Sequence, residues 1–139
     1  MSELARLPPK ASKIFSGEHG VHIVCLGCGA RLSEELRVAD LSERNTEDRM
    51  PYVPRGATVQ EDDTFFHQHV GEYVVNVDDA IHTWLTEAGN RLNGCCGLDG
   101  MDGPNLLCDQ CGAEVAIKKT DCWMPHCVIF VTALTRIIA

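Results

Sequence analysis

The chain lacks a long apolar run. Its most extended apolar stretch, residues 128–139, is too short to span a bilayer and is interrupted by Thr132, Thr135 and Arg136. The first ten residues contain no apolar segment of the kind that a secretory signal requires. We therefore expect a cytoplasmic protein with no membrane partner, in which clustered thiols bind metal rather than form disulfides.

Basic residues are scarce in the second part of the chain. Residues 1–55 carry equal numbers of acidic and basic side chains, so the whole formal net charge of -8 comes from residues 56–139. A surface that binds nucleic acid needs a basic footprint, and this imbalance disfavours one. It favours a basic protein as the partner. The densest acidic clusters are Glu61-Asp62-Asp63 and Asp78-Asp79.

Common catalytic motifs are also missing. The chain has no His-Glu-x-x-His, no phosphate-binding loop, no Gly-x-Gly-x-x-Gly and no Gly-x-Ser-x-Gly. It also lacks the His/Cys-x-Glu element of zinc-dependent deaminases. These absences favour a binding role over an enzymatic one.

Cysteine is abundant, with eight in 139 residues. Residues 24–32 and 107–115 follow one pattern, which is apolar–Cys-x-x-Cys-Gly-Ala–charged–apolar. Such a turn points two thiolates at one spot, and the Gly allows following backbone N–H groups to approach the sulfurs. We call these stretches the N-terminal and C-terminal knuckles. Together they supply the four thiolates of a tetrahedral zinc site, Cys25, Cys28, Cys108 and Cys111.

The knuckles resemble those of the zinc-ribbon and rubredoxin-like families. The resemblance covers only the two stretches, and the separation between them is far longer than in the usual ribbon. It implies a structural metal, since zinc ribbons serve mostly as staples or as contact modules for nucleic acid or protein. Residues 94–122 are also similar to short uncharacterised bacterial proteins, which brings no activity with it.

The remaining cysteines allow more than one assignment of the metal ligands. We favour one ion shared by both knuckles, with the other thiols buried or binding a second ion. Ligands of that second site would come from Cys95, Cys96, Cys122 and His126. Alternatively, the C-terminal knuckle binds its own ion with flanking sulfurs, and the N-terminal knuckle pairs with His19 or His22.

Histidines offer a second class of site. His67 and His69 would share a face if they lie on a strand. With His82 or His126 they could form an open zinc site of the catalytic type. This is the basis for the alternative of a zinc-dependent hydrolase, although ordinary surface or core histidines are the favoured interpretation.

The pattern as a whole predicts a β-rich α+β protein whose small antiparallel sheet is pinned by zinc knuckles. We expect a flexible tail over residues 1–18 and a single zinc-binding domain over residues 19–139. Asp78-Asp79 is a candidate N-cap for one short helix that ends at Gly89. Other predicted features are strands over 20–25, 114–119 and 128–134, two strands around Gly71 within 64–77, and a long surface loop over 40–58.

These features favour a zinc-stabilised protein–protein interaction module, an adaptor or a neutralising partner of a basic protein. The alternatives are the zinc-dependent hydrolase and a nucleic-acid-binding zinc ribbon. The negative net charge of the chain disfavours the zinc ribbon.

Overall fold

A computed structural model describes residues 20–139, and the tail predicted over residues 1–18 lies outside this range. Strands dominate, joined by short 3₁₀ helices at Leu41–Glu43, His67–His69, Val77–Asp79 and Gly89–Arg91. The strands are β1 (His22–Cys25), β2 (Arg37–Val38), β3 (Ala57–Gln60), β4 (Tyr73–Val75), β5 (Thr83–Leu85), β6 (Leu106–Cys108), β7 (Glu114–Lys119), β8 (Cys127–Phe130) and β9 (Thr135–Ile138).

The strands form two sheets. Seven of them lie in the order β2-β3-β4-β8-β7-β6-β5, while β1 and β9 pair separately. All neighbours are antiparallel except β2 and β3, which run parallel. The prediction of a β-rich protein is therefore confirmed, but the larger sheet is more extensive than the small antiparallel one expected.

The predicted helix after Asp78-Asp79 is wrong. A single 3₁₀ turn, Val77–Asp79, is capped by Asn76, whose side chain accepts a hydrogen bond from the Asp78 N–H at 2.9 Å. Extended backbone follows, because the Ile81 N–H bonds to the Leu32 carbonyl at 2.9 Å and β5 then pairs with β6. Pairing with neighbouring segments thus overrides a spacing of apolar residues that also suits a helix.

The region around Gly71 contains one strand rather than two. Tyr73–Val75 forms β4 as expected, but His67–His69 is a 3₁₀ turn. The Gly71 N–H bonds to the Glu61 carbonyl at 2.8 Å, and Gly71 has a φ of 86°. This left-handed conformation lets the chain turn directly into β4.

The predicted surface loop over residues 40–58 is also wrong in part. Tyr52 and Val53 are fully buried, and the segment runs into β3. Tyr52 packs its ring against Phe65 and Phe66, with centroid distances of 5.6 and 5.0 Å. The prolines and charged residues of this segment therefore lie at the surface, on either side of a buried centre formed by Tyr52 and Val53.

The main core lies beside the knuckles. Its buried members include Ile23, Leu32 and Val115, together with Cys25 and Cys108. A second buried cluster surrounds Tyr52 and includes other residues of the seven-stranded sheet. The first thiol of each knuckle is consequently part of the hydrophobic core, so a change at Cys25 or Cys108 also affects core packing.

Candidate metal centre

Four sulfurs converge between the two knuckles. Each lies within 4.8 Å of the others, with Sγ–Sγ distances of 3.5 Å between Cys25 and Cys111 and 3.6 Å between Cys28 and Cys108. Cys25 and Cys108 are buried, whereas Cys28 and Cys111 are exposed. This cluster can hold a metal ion, and it joins two distant parts of the chain.

The two knuckles have nearly the same backbone. Gly29 and Gly112 have φ values of 78° and 79°, as expected for a residue that must turn the chain after the second Cys. Each glycine N–H bonds to the carbonyl of the first Cys in its knuckle at 2.8 Å. Each first Cys N–H bonds in turn to the following Ala carbonyl, at 2.8 Å for Ala30 and 2.9 Å for Ala113. The sequence repeat is therefore a structural repeat.

The pKa values of the crowded thiols shift in opposite directions. The Ala30 N–H favours the thiolate of Cys28, but partial loss of hydration and three neighbouring sulfurs outweigh it and raise the pKa of Cys28 to about 12. Burial disfavours the thiolate of Cys25, yet hydrogen bonds from the Cys28 N–H and the Cys111 thiol lower its pKa. A metal ion bound by all four sulfurs would therefore displace protons from these thiols.

The strands that precede the knuckles set their positions. The N-terminal knuckle follows β1, and its Leu26 N–H bonds to the Leu134 carbonyl at 2.9 Å. The C-terminal knuckle connects the end of β6 to the start of β7. The N-terminal knuckle is thereby tied to the two-stranded sheet and the C-terminal knuckle to the seven-stranded sheet.

His82 connects the two knuckles without being a metal ligand. Its Nδ1 lies 2.8 Å from the Arg31 carbonyl, and its own carbonyl accepts from the Asp109 N–H at 2.9 Å. His82 also has a φ of 56°, a left-handed conformation that is uncommon outside glycine. Sequence reasoning missed this bracing role because it considered His82 only as a ligand.

His67 and His69 share one 3₁₀ turn, and His126 lies just before β8. Buried His69 bonds through Nδ1 to Glu72 at 2.9 Å, and the Nε2 of His126 lies 3.0 Å from the Asp121 carbonyl. His67 is exposed. Within residues 20–139, no cluster of three or more metal-ligating groups contains a histidine. The structure thus offers no observation that favours the hydrolase alternative.

The four residues suggested as a second metal site do not come together as one four-ligand cluster. Cys96 and Cys122 are joined as a disulfide, while Cys95 is free and exposed. The neighbouring carboxylate of Asp121 is close to both sulfurs but is already engaged by backbone N–H groups. Asp121 was not recognised from the sequence, where its position directly before Cys122 was the only signal.

Comparisons with known proteins add no further constraint. No protein-family model, curated protein or solved structure matches this chain. Among residues 20–139, no helix is both long enough and apolar enough to cross a membrane. Function must therefore be inferred from the geometry of the sites.

Proposed function

We propose that the four-cysteine centre binds zinc and that the protein is a zinc-stabilised module for binding a protein partner. A tetrahedral zinc ion with bonds of about 2.3 Å separates its sulfur ligands by about 3.8 Å. The two closest pairs, at 3.5 and 3.6 Å, are near that separation. With four cysteines there is no open coordination position, so the ion stabilises the fold rather than activating water.

The exposed edge of β5 carries this proposal. β5 is the last strand of the seven-stranded sheet, and its outer side has no strand partner among residues 20–139. The His82 carbonyl accepts from the Asp109 N–H and the Thr86 N–H donates to the Asn105 carbonyl, one on each side of β6, and Trp84 stands opposite Leu107. Because bonding alternates along an antiparallel strand, the backbone N–H and C=O groups of Thr83 and Leu85 point outward.

Large apolar side chains accompany this free edge. Trp84 is 60% exposed and Leu85 is 45% exposed. They line an open groove of about 530 Å³ together with Ala88 and Leu107. Proteins usually blunt free edges with charge or proline, so an edge that carries an exposed Trp favours strand addition by a partner.

Charge favours a basic partner. Glu87 lines the same groove, and the whole formal excess of negative charge belongs to residues 56–139. We therefore specify the occupant as an extended segment of a basic protein. Its apolar side chains would alternate, and its Lys or Arg residues would face Glu87.

The metal centre explains why the edge is held in place. Thr83 pairs with Cys108, and the Asp109 N–H within the C-terminal knuckle bonds to the carbonyl just before β5. A three-residue edge strand has little stability of its own. Zinc at the knuckle would fix β5 in the conformation that a partner strand can join.

Selection from a displayed library of random extended peptides tests this function. The zinc-loaded protein should enrich peptides with alternating apolar residues and Lys or Arg. Binding of such a peptide should slow amide hydrogen exchange at Thr83 and Leu85, and should weaken as salt rises.

Two variants at one position separate backbone pairing from side-chain contact. Leu85→Pro removes an outward N–H and should abolish peptide binding, whereas Leu85→Ala should only reduce it. Zinc content and melting temperature serve to confirm that both variants are folded. Peptides that bind equally to the folded Pro variant, or that protect other regions instead of β5, would contradict the proposal.

A further inference from the structure

A buried carboxylate holds together the two segments that carry Cys96 and Cys122. Asp121 is 0% exposed, and its Oδ1 accepts from the N–H groups of Cys96 and Cys122 at 2.9 and 2.8 Å. Its Oδ2 accepts from the Cys95 N–H at 2.9 Å and from Trp123 Nε1 at 2.8 Å. Four N–H donors therefore satisfy this carboxylate, and the Cys96 sulfur also lies 3.3 Å from its Oδ1.

Close backbone contact reinforces this clamp. The Thr120 N–H bonds to the Leu98 carbonyl at 2.8 Å, and the Leu98 N–H bonds to the Thr120 hydroxyl at 3.2 Å. At Gly97 a Cβ atom would collide with the Thr120 carbonyl, so only glycine allows this approach. None of these contacts depends on the sulfur–sulfur bond, and the two cysteines will stay adjacent when that bond is broken.

The disulfide is also accessible. Cys96 is exposed, Cys122 is half-buried, and the free thiol of Cys95 is exposed beside them. Neither Cys96 nor Cys122 belongs to the sulfur cluster of the knuckles. A solvent-accessible disulfide, held by a scaffold that does not need it, is suited to reversible chemistry more than to stabilising the fold.

We propose that Cys96 and Cys122 form a thiol–disulfide exchange centre, separate from the metal centre, whose reductant is a dithiol. A thiolate of the dithiol attacks the exposed Cys96 sulfur, the Cys96–Cys122 bond breaks, and Cys122 leaves as a thiolate that takes a proton from solvent. The second thiolate of the dithiol then displaces Cys96 from the mixed disulfide, and Cys96 is protonated. Two electrons and two protons pass to the protein, and the dithiol becomes a disulfide.

The clamp is the reason for specifying a dithiol. After the first attack, Cys122 remains beside the mixed disulfide. Its thiolate can attack the mixed disulfide in turn, at a high effective concentration, and so reverse the first step. A monothiol is therefore expelled before a second molecule arrives. A dithiol completes the reaction with its own second thiol, which is equally close.

Equilibration with dithiothreitol and with glutathione, at equal thiol concentration, tests the proposal. The full-length zinc-loaded protein is treated with either thiol, alkylated, and analysed by mass spectrometry of the peptides carrying Cys95, Cys96 and Cys122. We expect dithiothreitol to reduce the pair in the folded protein about 100-fold more effectively than glutathione. Zinc content should not change, and the control Cys95→Ser should behave as wild type.

Several results would overturn it. Resistance of the disulfide to excess dithiothreitol until the chain unfolds would make it a purely structural bond. An Asp121→Asn variant with the same preference for dithiothreitol over glutathione as the wild type would show that the clamp does not hold Cys122 in place. Two metal ions per chain after anaerobic purification, with Cys96 and Cys122 neither alkylated nor disulfide-bonded, would assign these sulfurs to a second metal site. None of these outcomes bears on peptide binding at β5, so the two proposals can fail separately.

Discussion

The hydroxyl of Tyr52 donates a 2.7 Å hydrogen bond to Oε2 of Glu61 inside the second buried cluster, where the two residues are 0% and 2% exposed. The same oxygen accepts from the Phe66 N–H at 3.1 Å, and Arg44 lies 3.3 Å from the other carboxylate oxygen. Burial and then the carboxylate raise the pKa of Tyr52, so the phenol remains a donor. Glu61 is thus a core residue and not part of an acidic docking surface.

Tyr52→Phe should destabilise the protein by about 1.5–3 kcal/mol, because it removes the only side-chain hydroxyl bonded to a buried carboxylate oxygen among residues 20–139. Chemical unfolding at pH 7 measures the loss. Asp63→Asn, a change at an exposed residue of the same acidic cluster, should alter stability by no more than about 0.5 kcal/mol. Equal effects of the two substitutions would contradict the assignment of Tyr52 and Glu61 to one buried network.

Cys108→Ser should unfold or aggregate the protein. Cys108 is fully buried in the main core and belongs to the metal cluster, and structural zinc contributes roughly 10–16 kcal/mol of apparent binding energy in small zinc-dependent domains. Metal content and thermal unfolding after purification provide the measurement. The matched control is Cys95→Ser, an exposed free thiol, which should keep the metal and the wild-type melting temperature. A folded Cys108→Ser protein with unchanged melting temperature would rule out a structural metal there.

Binding to duplex DNA should be weak at physiological salt. Several arginines that could contact phosphate are already paired: Arg37 with Glu43, Arg44 with Glu61 and Asp62, and Arg55 with Asp79. These pairs leave little uncompensated positive charge for releasing counterions from DNA. A mobility-shift titration should show no complex at sub-micromolar protein, whereas a tight complex would reveal a basic surface formed by other residues.

The candidate site was predictable because its signal is local. Each Cys-x-x-Cys-Gly turn encodes its own geometry, and Gly29 and Gly112 adopt the positive φ that the motif requires. The sequence favoured a site shared by the two turns, since neither supplies four ligands alone, but it also allowed a C-terminal site completed by flanking sulfurs. The bracing by His82 was not predictable, because it depends on a backbone carbonyl far away in the chain.

The errors in the fold have a common physical origin. Residues 81–85 carry apolar side chains at helix-like spacing, yet their backbone groups bond to β6 and to the segment near Leu32. Tyr52 lies between prolines and charges, and only its distant partners Glu61 and Phe66 make it a core residue. Short strands whose partners are distant in sequence leave little periodic signal, so tertiary pairing decides their conformation.

Acid should weaken the clamp at Asp121. Hydrogen bonds from the N–H groups of Cys96 and Cys95 lower the pKa of Asp121 to about 2. A carboxyl group whose pKa is lower in the folded state contributes stability above its ordinary pKa of about 3.9, and this contribution is lost as pH falls. The amide protons of Cys95, Cys96 and Cys122 should therefore exchange faster as pH decreases from about 4 to about 2, once the intrinsic pH dependence of exchange is subtracted. In Asp121→Asn those amides should already be weakly protected at pH 7 and show no such acid transition, whereas Asp63→Asn should follow the wild type. A transition of the same size in Asp121→Asn would mean that another group controls the acid response of this segment.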